Sequence, residues 1–253
     1  MNDGLSIAAV ICAAGYSSRM GGVKKEYRKL DALDDEGNSF TVLGSVVSIF
    51  AASPRIDTIV ITVPLAPEIG ECKAREALPP RFLKTDGKSN GLPRVLFVPG
   101  GSSRRMSVHH ALSLLAAYYP NYVLIHDGAR PWVDVALIER TIDAALTHKA
   151  VVPVVPLVET PKEISGAYEV HGSHSVKIVT RHLRRANVAT AQTPQAFAFP
   201  DILYAHEKAA MRELREGVDY TDDAEIWGEF CGEVAVIQGS PANKKITFPQ
   251  DLE

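Results

Sequence analysis

Ser6-Ile-Ala-Ala-Val-Ile-Cys12 runs without a break into Ala13-Ala-Gly-Tyr-Ser-Ser-Arg-Met20-Gly-Gly. The first stretch is almost wholly apolar and carries β-branched side chains, the pattern of a strand buried on both faces. The small residues after it allow backbone N–H groups to approach an anion closely. A buried strand opening onto such a loop reads as the first strand of a parallel α/β sheet, whose carboxyl edge carries the ligand loops. The loop is neither GxGxxG nor GxxxxGK[ST], so it is neither the dinucleotide fingerprint nor the P-loop.

The same alternation continues outward from that stretch. Residues 42–52 read as a helix stopping before Pro54, 57–63 as a second strand and 94–98 as a third. Residues 103–118 read as a helix with Val108, Ala111, Leu112 and Leu115 on one face. Then come a strand over 122–125, a helix over 135–148, a strand over 150–155, helices over 200–216 and 222–230, and a strand over 234–238. The alternation predicts an α/β fold with a mostly parallel sheet and helices on both faces. A length of 253 residues suits one domain over 1–253 better than two. Two stretches break the rhythm. Residues 65–93 are polar, with several Pro and Gly, and read as a surface excursion. Within 156–181, two short extended runs flank His171-Gly-Ser-His174 and predict a projecting hairpin, equally suited to an oligomerisation arm or an ordinary sheet edge.

Composition removes several classes of function. Lys and Arg total 27 against 30 for Asp and Glu, a net charge of −3, which argues against a nucleic-acid coat but leaves room for a local basic pocket. The three cysteines, Cys12, Cys72 and Cys231, are far apart with no CxxC, which suits a reducing compartment and not a disulfide scaffold or zinc ribbon. The N-terminus lacks the basic and apolar regions of a signal peptide, and no apolar run approaches the ~20 residues of a membrane helix, so a cytoplasmic chain without a membrane partner is expected. The eight histidines include no HExxH, and there is no GxSxG elbow. His171 and His174 read as surface residues of the hairpin.

Three loops carry the chemistry. The first is followed by Arg19 and by Lys24-Lys25, the fixed positive charge that a polyphosphate needs beside backbone donors. The second, Pro99-Gly-Gly-Ser-Ser-Arg-Arg-Met-Ser107, leaves a strand on a Gly pair and enters a helix N-terminus, suited to an anion or a base edge; capping by Ser102 or Ser103 would account for its serines equally well. The third, His126-Asp-Gly-Ala-Arg-Pro131, places Asp127 at the end of a strand. Mg²⁺ keeps several waters and takes only one or two protein carboxylates, so one Asp beside bound phosphates suffices to propose it.

Val10-Ile-Cys-Ala-Ala-Gly-Tyr-Ser-Ser-Arg-Met20, Lys25-Glu-Tyr27, Gly100-Gly-Ser-Ser-Arg104 through Ser107, His126-Asp-Gly-Ala-Arg-Pro131, Glu159-Thr160, Gln192-Thr-Pro-Gln195, Thr221-Asp-Asp223 and Asn243-Lys-Lys-Ile-Thr247 stand in the order seen in 2-C-methyl-D-erythritol 4-phosphate cytidylyltransferases. On these motifs the chain resembles that family over nearly its whole length. The resemblance implies a nucleotidyltransferase-type Rossmann-like sheet with a β-arm, here 156–181, that builds a homodimer. It implies transfer of CMP from CTP to 2-C-methyl-D-erythritol 4-phosphate, with release of pyrophosphate, in the non-mevalonate supply of isoprenoid precursors. Mg²⁺ or another divalent cation is the implied cofactor.

Roles follow from the resemblance residue by residue. Arg19 and Lys25 match the catalytic cations on the triphosphate, and Arg185 and Lys245 those that orient the attacking phosphate. Ala13, Ala14, Gly15, Gly100, Gly101, Arg104 and Ser107 match the nucleotide side. Arg130, Thr160 and Thr193 match the sugar-phosphate side, with Thr160 reaching the partner's site from the arm. Asp127, joined by Asn243, matches the metal site. The chain departs from the family pattern at Cys12 and Lys24, both usually Pro, and at Glu159-Thr-Pro-Lys162, Arg184 and Asn243-Lys-Lys245. Two alternatives share these loops: a cytidylyltransferase for another polyol phosphate, such as ribitol 5-phosphate, and a non-catalytic nucleotide-sugar sensor. Ala129-Arg130 and Arg185 lean toward methylerythritol phosphate, and the joint presence of Arg19, Lys25, Asp127 and Lys245 speaks against a sensor.

Overall fold

A computed structural model describes residues 4–17, 20–21, 24–33, 39–83, 91–166, 168–171 and 174–252. The opening apolar stretch is β1 (Ile7–Cys12). Its side chains alternate between two clusters: Ile7, Ala9 and Ile11 enter one, Ala8 and Val10 the other. That alternation is why the stretch is apolar throughout. Each fully buried Ile or Val contributes roughly 1.5–3 kcal/mol of transfer free energy.

After β1 come the short hairpin β2 (Lys29–Leu33) and β3 (Ser39–Thr41), α1 (Val42–Ala52), β4 (Ile56–Val63), α2 (Glu71–Glu76) and β5 (Arg94–Pro99). Thr41 caps α1, accepting from the Gly44 N–H at 2.8 Å while its hydroxyl donates to the Ala77 carbonyl at 2.6 Å. A Cβ on Gly44 would lie 2.9 Å from that same carbonyl, so the helix start admits only glycine. α3 (Arg104–Leu115), β6 (Tyr122–Asp127), α4 (Val135–His148) and β7 (Ala150–Pro156) follow. The four parallel strands β6, β1, β4 and β5 stand side by side in that order.

The chain then leaves the sheet as an arm. β8 (Lys162–Ile164) pairs antiparallel with β11 (Val179–His182), and between them β9 (Glu169–His171) pairs with β10 (His174–Val176). It returns as β12 (Ala189–Ala191) and β13 (Gln195–Ala198), both antiparallel along β7, and β13 also joins β7 to β6. α5 (Asp201–Glu216), α6 (Asp223–Phe230) and β14 (Ala235–Gln238), parallel to β7, complete the described fold. The eight-stranded sheet is thus mixed and mostly parallel. Among the described residues, one face is covered by the cluster that holds α1 and α4, the other by the cluster that holds α3, α5 and α6.

The expected elements over 42–52 and 135–148 match α1 and α4 residue for residue, and the other expected helices and strands shift by a few residues at their ends. Residues 65–93 differ from the expected surface excursion. Ala74 on α2, then Ala77, Leu78 and Phe82, are buried in the main core, with Ala77 against the start of α1. Pro and Gly hide a short amphipathic helix there, and residues 84–90 lie outside the described set. β12, β13 and the β2–β3 hairpin were not expected; Gln195-Ala-Phe-Ala198 has too few β-branched residues to read as a strand, and tertiary pairing makes it one.

Candidate active site

The loops that leave β1, β5 and β6 meet at the carboxyl edge of the sheet, held there by backbone ties between neighbouring strands. The Ala13 N–H donates to Thr62 Oγ1 at 3.0 Å, the Gly100 N–H to the Val63 carbonyl at 2.8 Å and the Gly128 N–H to the Cys12 carbonyl at 2.9 Å. A Cβ on Gly100 would fall 2.3 Å from the Ala14 Cβ, so the first two loops touch and only glycine allows it. Ser103 caps α3 by accepting from the Met106 N–H, and Ser107 Oγ accepts from the Gly101 N–H at 3.0 Å while donating to the Ser103 carbonyl.

A cavity of about 560 Å³ opens between these loops, with Ala14, Gly15, Lys25, Gly101, Arg104 and Ser107 among its lining residues and Asp127 and Lys245 at one end. A second cavity of about 160 Å³ lies beside it, lined by Arg130, Gln192, Thr193 and Thr221. Arg104, Asp127 and Lys245 line both. Two concavities therefore share a wall made of one carboxylate and two cations.

Asp127 is the centre of that wall. Lys245 Nζ lies 3.0 Å and Arg130 Nε 3.1 Å from its Oδ2, and Arg104 Nε lies 3.8 Å from its Oδ1. Burial alone would raise the carboxyl's pKa, but Lys245, Arg104 and Arg130 outweigh it and hold it well below the ordinary carboxylate range. Arg104 is itself held by Asp223 on α6, Nη2 to Oδ2 at 2.7 Å. Asp223 is fully buried; burial raises its carboxyl, and Arg104 and then His206 pull it down to about 2.

The smaller cavity rests on a buried polar network. Thr193 Oγ1 accepts from the Asp127 N–H at 3.1 Å and stands 3.0 Å from His126 Nδ1. His126 Nε2 stands 3.3 Å from the Arg130 carbonyl, which can only accept, so Nε2 carries the proton and the Thr193 hydroxyl donates to Nδ1. Burial holds this imidazole neutral, at about 4. The Asn243 amide donates to the Thr193 carbonyl at 2.7 Å, and the Asn243 carbonyl accepts from Arg130 at 3.0 Å. The segment of Lys245 and Ile246 is pinned by the Ile246 N–H on the Ala129 carbonyl, and Lys25 Nζ donates to the Ile246 carbonyl at 2.7 Å.

Of the residues nominated from the sequence, Ala14, Gly15, Lys25, Gly101, Arg104, Ser107, Asp127 and Lys245 line the larger cavity, and Arg130 and Thr193 the smaller. Ala13 and Gly100 are buried behind the loops, and Asn243 is buried behind the wall. Arg19 lies outside the described residues. Thr160 and Arg185 line neither cavity; both are exposed near the arm, where Arg185 Nη1 donates to the Val158 carbonyl at 2.6 Å. Sequence reasoning passed over Asp223 and Gln192 as individual residues, although both fall in quoted motifs. Their partners, Arg104 and Asn243, are 119 and 51 residues away in the chain.

A divalent cation fits this donor set in one way. Among the described residues no three His, Cys, Asp or Glu side chains come together, so no closed protein cage exists. The ionised Asp127, a hard oxygen donor at the junction of both cavities, suits Mg²⁺ brought in on phosphates, which needs only one or two protein carboxylates. The Asn243 Oδ1 is buried without a hydrogen-bond partner, and Asn243 lines neither cavity.

Among the described residues, no helix is long and apolar enough to cross a membrane. The family model for 2-C-methyl-D-erythritol 4-phosphate cytidylyltransferase (IspD) matches residues 7–253. A bifunctional IspD/IspF enzyme of Bartonella henselae is 33% identical over 248 residues, covering 98% of this chain and 55% of that protein. One of Rhodopseudomonas palustris (strain BisB18) is 37% identical over 254 residues, covering 100% and 55%. The chain spans about half the length of the curated relatives it matches. The solved 4-diphosphocytidyl-2C-methyl-D-erythritol synthase of Anaerococcus prevotii superposes with a TM-score of 0.73 at 26% identity, covering 99% of this chain and 94% of that one. The 2-C-methyl-D-erythritol 4-phosphate cytidylyltransferase of Francisella tularensis gives 0.69 at 25%, covering 98% and 96%. The match over residues 7–253 shows that the chain belongs to the 2-C-methyl-D-erythritol 4-phosphate cytidylyltransferase (IspD) family.

Proposed function

We propose that this chain transfers CMP from CTP to 2-C-methyl-D-erythritol 4-phosphate, giving 4-diphosphocytidyl-2-C-methyl-D-erythritol and pyrophosphate, in the non-mevalonate supply of isoprenoid precursors. The observation that carries this reading is the pair of cavities meeting at Asp127, Arg104 and Lys245. Two polyanionic substrates need adjacent seats and a cationic seam between them. CTP takes the larger cavity, with its base near Gly101 and Ser107 and its triphosphate toward Lys25 and Arg19. The sugar phosphate takes the smaller, against Arg130, Thr193 and Lys245.

The acceptor phosphate is ionised at neutral pH, so no side chain has to remove a proton. One of its oxygens attacks the α-phosphorus. The bond from that phosphorus to the oxygen bridging to the β-phosphate breaks, and the electron pair leaves with pyrophosphate. The protein's share is positioning and charge stabilisation. Lys25 and Arg19 neutralise the triphosphate as charge shifts toward the leaving group, and Lys245 with Arg130 holds the attacking phosphate. Asp127 would hold Mg²⁺, which supplies charge neutralisation at the phosphates when bound; the unpartnered Oδ1 makes Asn243 a candidate second oxygen donor.

The arm supports a homodimer with composite sites. Thr160 and Arg185 lie outside both cavities of their own chain, and Ile164, Ile178 and Val179 of the arm are exposed. A two-fold contact would bring each arm to the other subunit's site. Free cysteines at 12, 72 and 231 suit a cytoplasmic enzyme.

The test is pyrophosphate release from CTP with methylerythritol phosphate and ribitol 5-phosphate in parallel. Release with the first at much the higher kcat/KM is expected. Release with ribitol phosphate alone reassigns the acceptor, and release with neither leaves a nucleotide binder.

A further inference from the structure

Lys24 and Glu26 lie behind the Ala13–Ser17 loop and have no part in the mechanism above. Their side chains are only 4% and 5% exposed, and Lys24 Nζ meets Glu26 Oε2 at 2.6 Å. Burying an ion pair is a poor way to gain stability, because desolvation offsets the attraction. The pair is better understood from what else it holds. Lys24 Nζ also donates to the Gly15 carbonyl at 2.8 Å. The same Glu26 oxygen accepts from Ser17 Oγ at 3.4 Å, and Ser17 Oγ accepts from the Lys25 N–H at 3.3 Å. Ser17 sits at φ +53°, a left-handed conformation that a non-glycine residue keeps only when its surroundings enforce it.

These contacts tie Gly15 and Ser17 to the short turn Lys25–Tyr27, which carries Lys25. Tyr27 anchors that turn in the body of the protein, its hydroxyl donating to the Ile69 carbonyl at 2.8 Å. Gly15, Tyr16, Ser17, Lys25 and Glu26 all line the larger cavity. In a planar trans peptide, C=O and the next N–H point in opposite directions. Holding the Gly15 carbonyl on Lys24 therefore turns the Tyr16 N–H away from the buried pair.

We propose that Lys24 and Glu26 are positioning residues, a buried ion pair that sets the backbone of residues 15–17 and its distance from Lys25 so that the loop receives the nucleotide's phosphates. The proposal rests on the reading of the larger cavity as the CTP site. It predicts a defect confined to one substrate, since among the described residues the pair holds Gly15 and Ser17, which do not line the smaller cavity.

The experiment compares the full wild-type chain with Lys24→Met and with the double variant Lys24→Met/Glu26→Gln. The single variant strands a buried carboxylate and risks misfolding; the double variant removes both charges and avoids that. Steady-state pyrophosphate release is measured while CTP and the acceptor are varied separately, with thermal melts alongside. A rise of about tenfold in KM for CTP, with the acceptor KM unchanged, is expected from loss of loop geometry in the folded double variant. An unchanged KM for CTP overturns the proposal and leaves the function standing. Parallel rises in both KM values overturn it as well, because a merely structural role would act on both. A wild-type chain that releases no pyrophosphate from CTP removes the functional reading and the proposal with it.

Discussion

The wall around Asp127 and the arm that leaves β7 are built on opposite principles. In and behind the wall, Asp127, Asp223, His126, Thr193 and Asn243 are buried, and the partners are far apart in sequence: Arg104 meets Asp223, Arg130 meets Asn243, Thr193 meets His126. The arm is two short antiparallel ladders, β8 with β11 and β9 with β10, whose apolar residues Ile164, Ile178 and Val179 face solvent. A two-stranded hairpin is marginal by itself in water. The wall's ties are thus made within one chain, while these described apolar residues of the arm lie open to solvent. The nucleotide side of the reaction should accordingly answer to substitutions within a chain, and the arm to what lies across an interface.

The largest effect expected is on charge stabilisation of the transition state in the larger cavity. Lys25→Ala removes a cation from a pre-organised site, which costs roughly 3 kcal/mol, or about 100-fold in kcat. The sheet should be untouched, because Lys25 stands on the short turn Lys25–Tyr27 and not on a strand. Near-wild-type turnover, with an unchanged melt, would remove Lys25 from the catalytic set. Arg19→Ala is expected to behave alike.

Asp127→Asn should act less on the fold than on metal use. The amide keeps the shape and drops the charge that a hard cation favours, so the Mg²⁺ concentration for half-maximal rate should rise by about tenfold. Arg104, Arg130 and Lys245 also lose their common partner, and added salt should recover part of any lost stability. If the magnesium titration overlays that of wild type, Asp127 is not a ligand.

How much of this was legible in the sequence follows from the same contrast. β1, β4 and β6 announce themselves because strands buried on both faces must be apolar along their whole length, and the loops after β1, β5 and β6 are marked by Gly and by single charged residues. Ten of the nominated residues accordingly line the cavities. The ties behind them were not legible. Nothing local to Lys24 says that its ammonium will be buried on Glu26 and the Gly15 carbonyl, and nothing local to His126 says that Thr193, 67 residues on, will meet its Nδ1. Residues 65–93 misled for the converse reason: their Pro and Gly suggest exposure, yet Leu78 and Phe82 are buried in the core that holds α1 and β4.

His126 offers a way to sharpen the comparison through pH. Its folded-state pKa, lowered by burial from 6.5 to about 4, lies below that of the unfolded chain. The unfolded chain therefore takes up the proton first. This contribution to stability is complete above about pH 6.5 and is lost as pH falls toward 4. Between pH 6 and 5 the wild-type chain should lose about 1 kcal/mol through this group. His126→Gln, read by urea unfolding at both values, should lack that increment, the other histidines cancelling in the difference. An identical pH dependence in the two proteins would mean that His126 is not held neutral by its burial.

The smallest effect is at most a twofold one, and it addresses the arm. If the arm acts in trans, Thr160 serves the partner's sugar phosphate while Lys25 serves the nucleotide of its own chain. Pro161, next to Thr160, has no N–H to give to a ladder, and it stands just before β8, where a strand edge tolerates it. Thr160→Ala and Lys25→Ala, each largely inactive alone, are then mixed under conditions of proven subunit exchange. In the heterodimer one site carries both lesions and the other carries neither. By the two-fold geometry up to about half of the wild-type activity per dimer should return. Exchange without recovery means that Thr160 works in its own chain and the composite site is wrong. A chain that sediments as a monomer at assay concentration rejects it before any mixing is done.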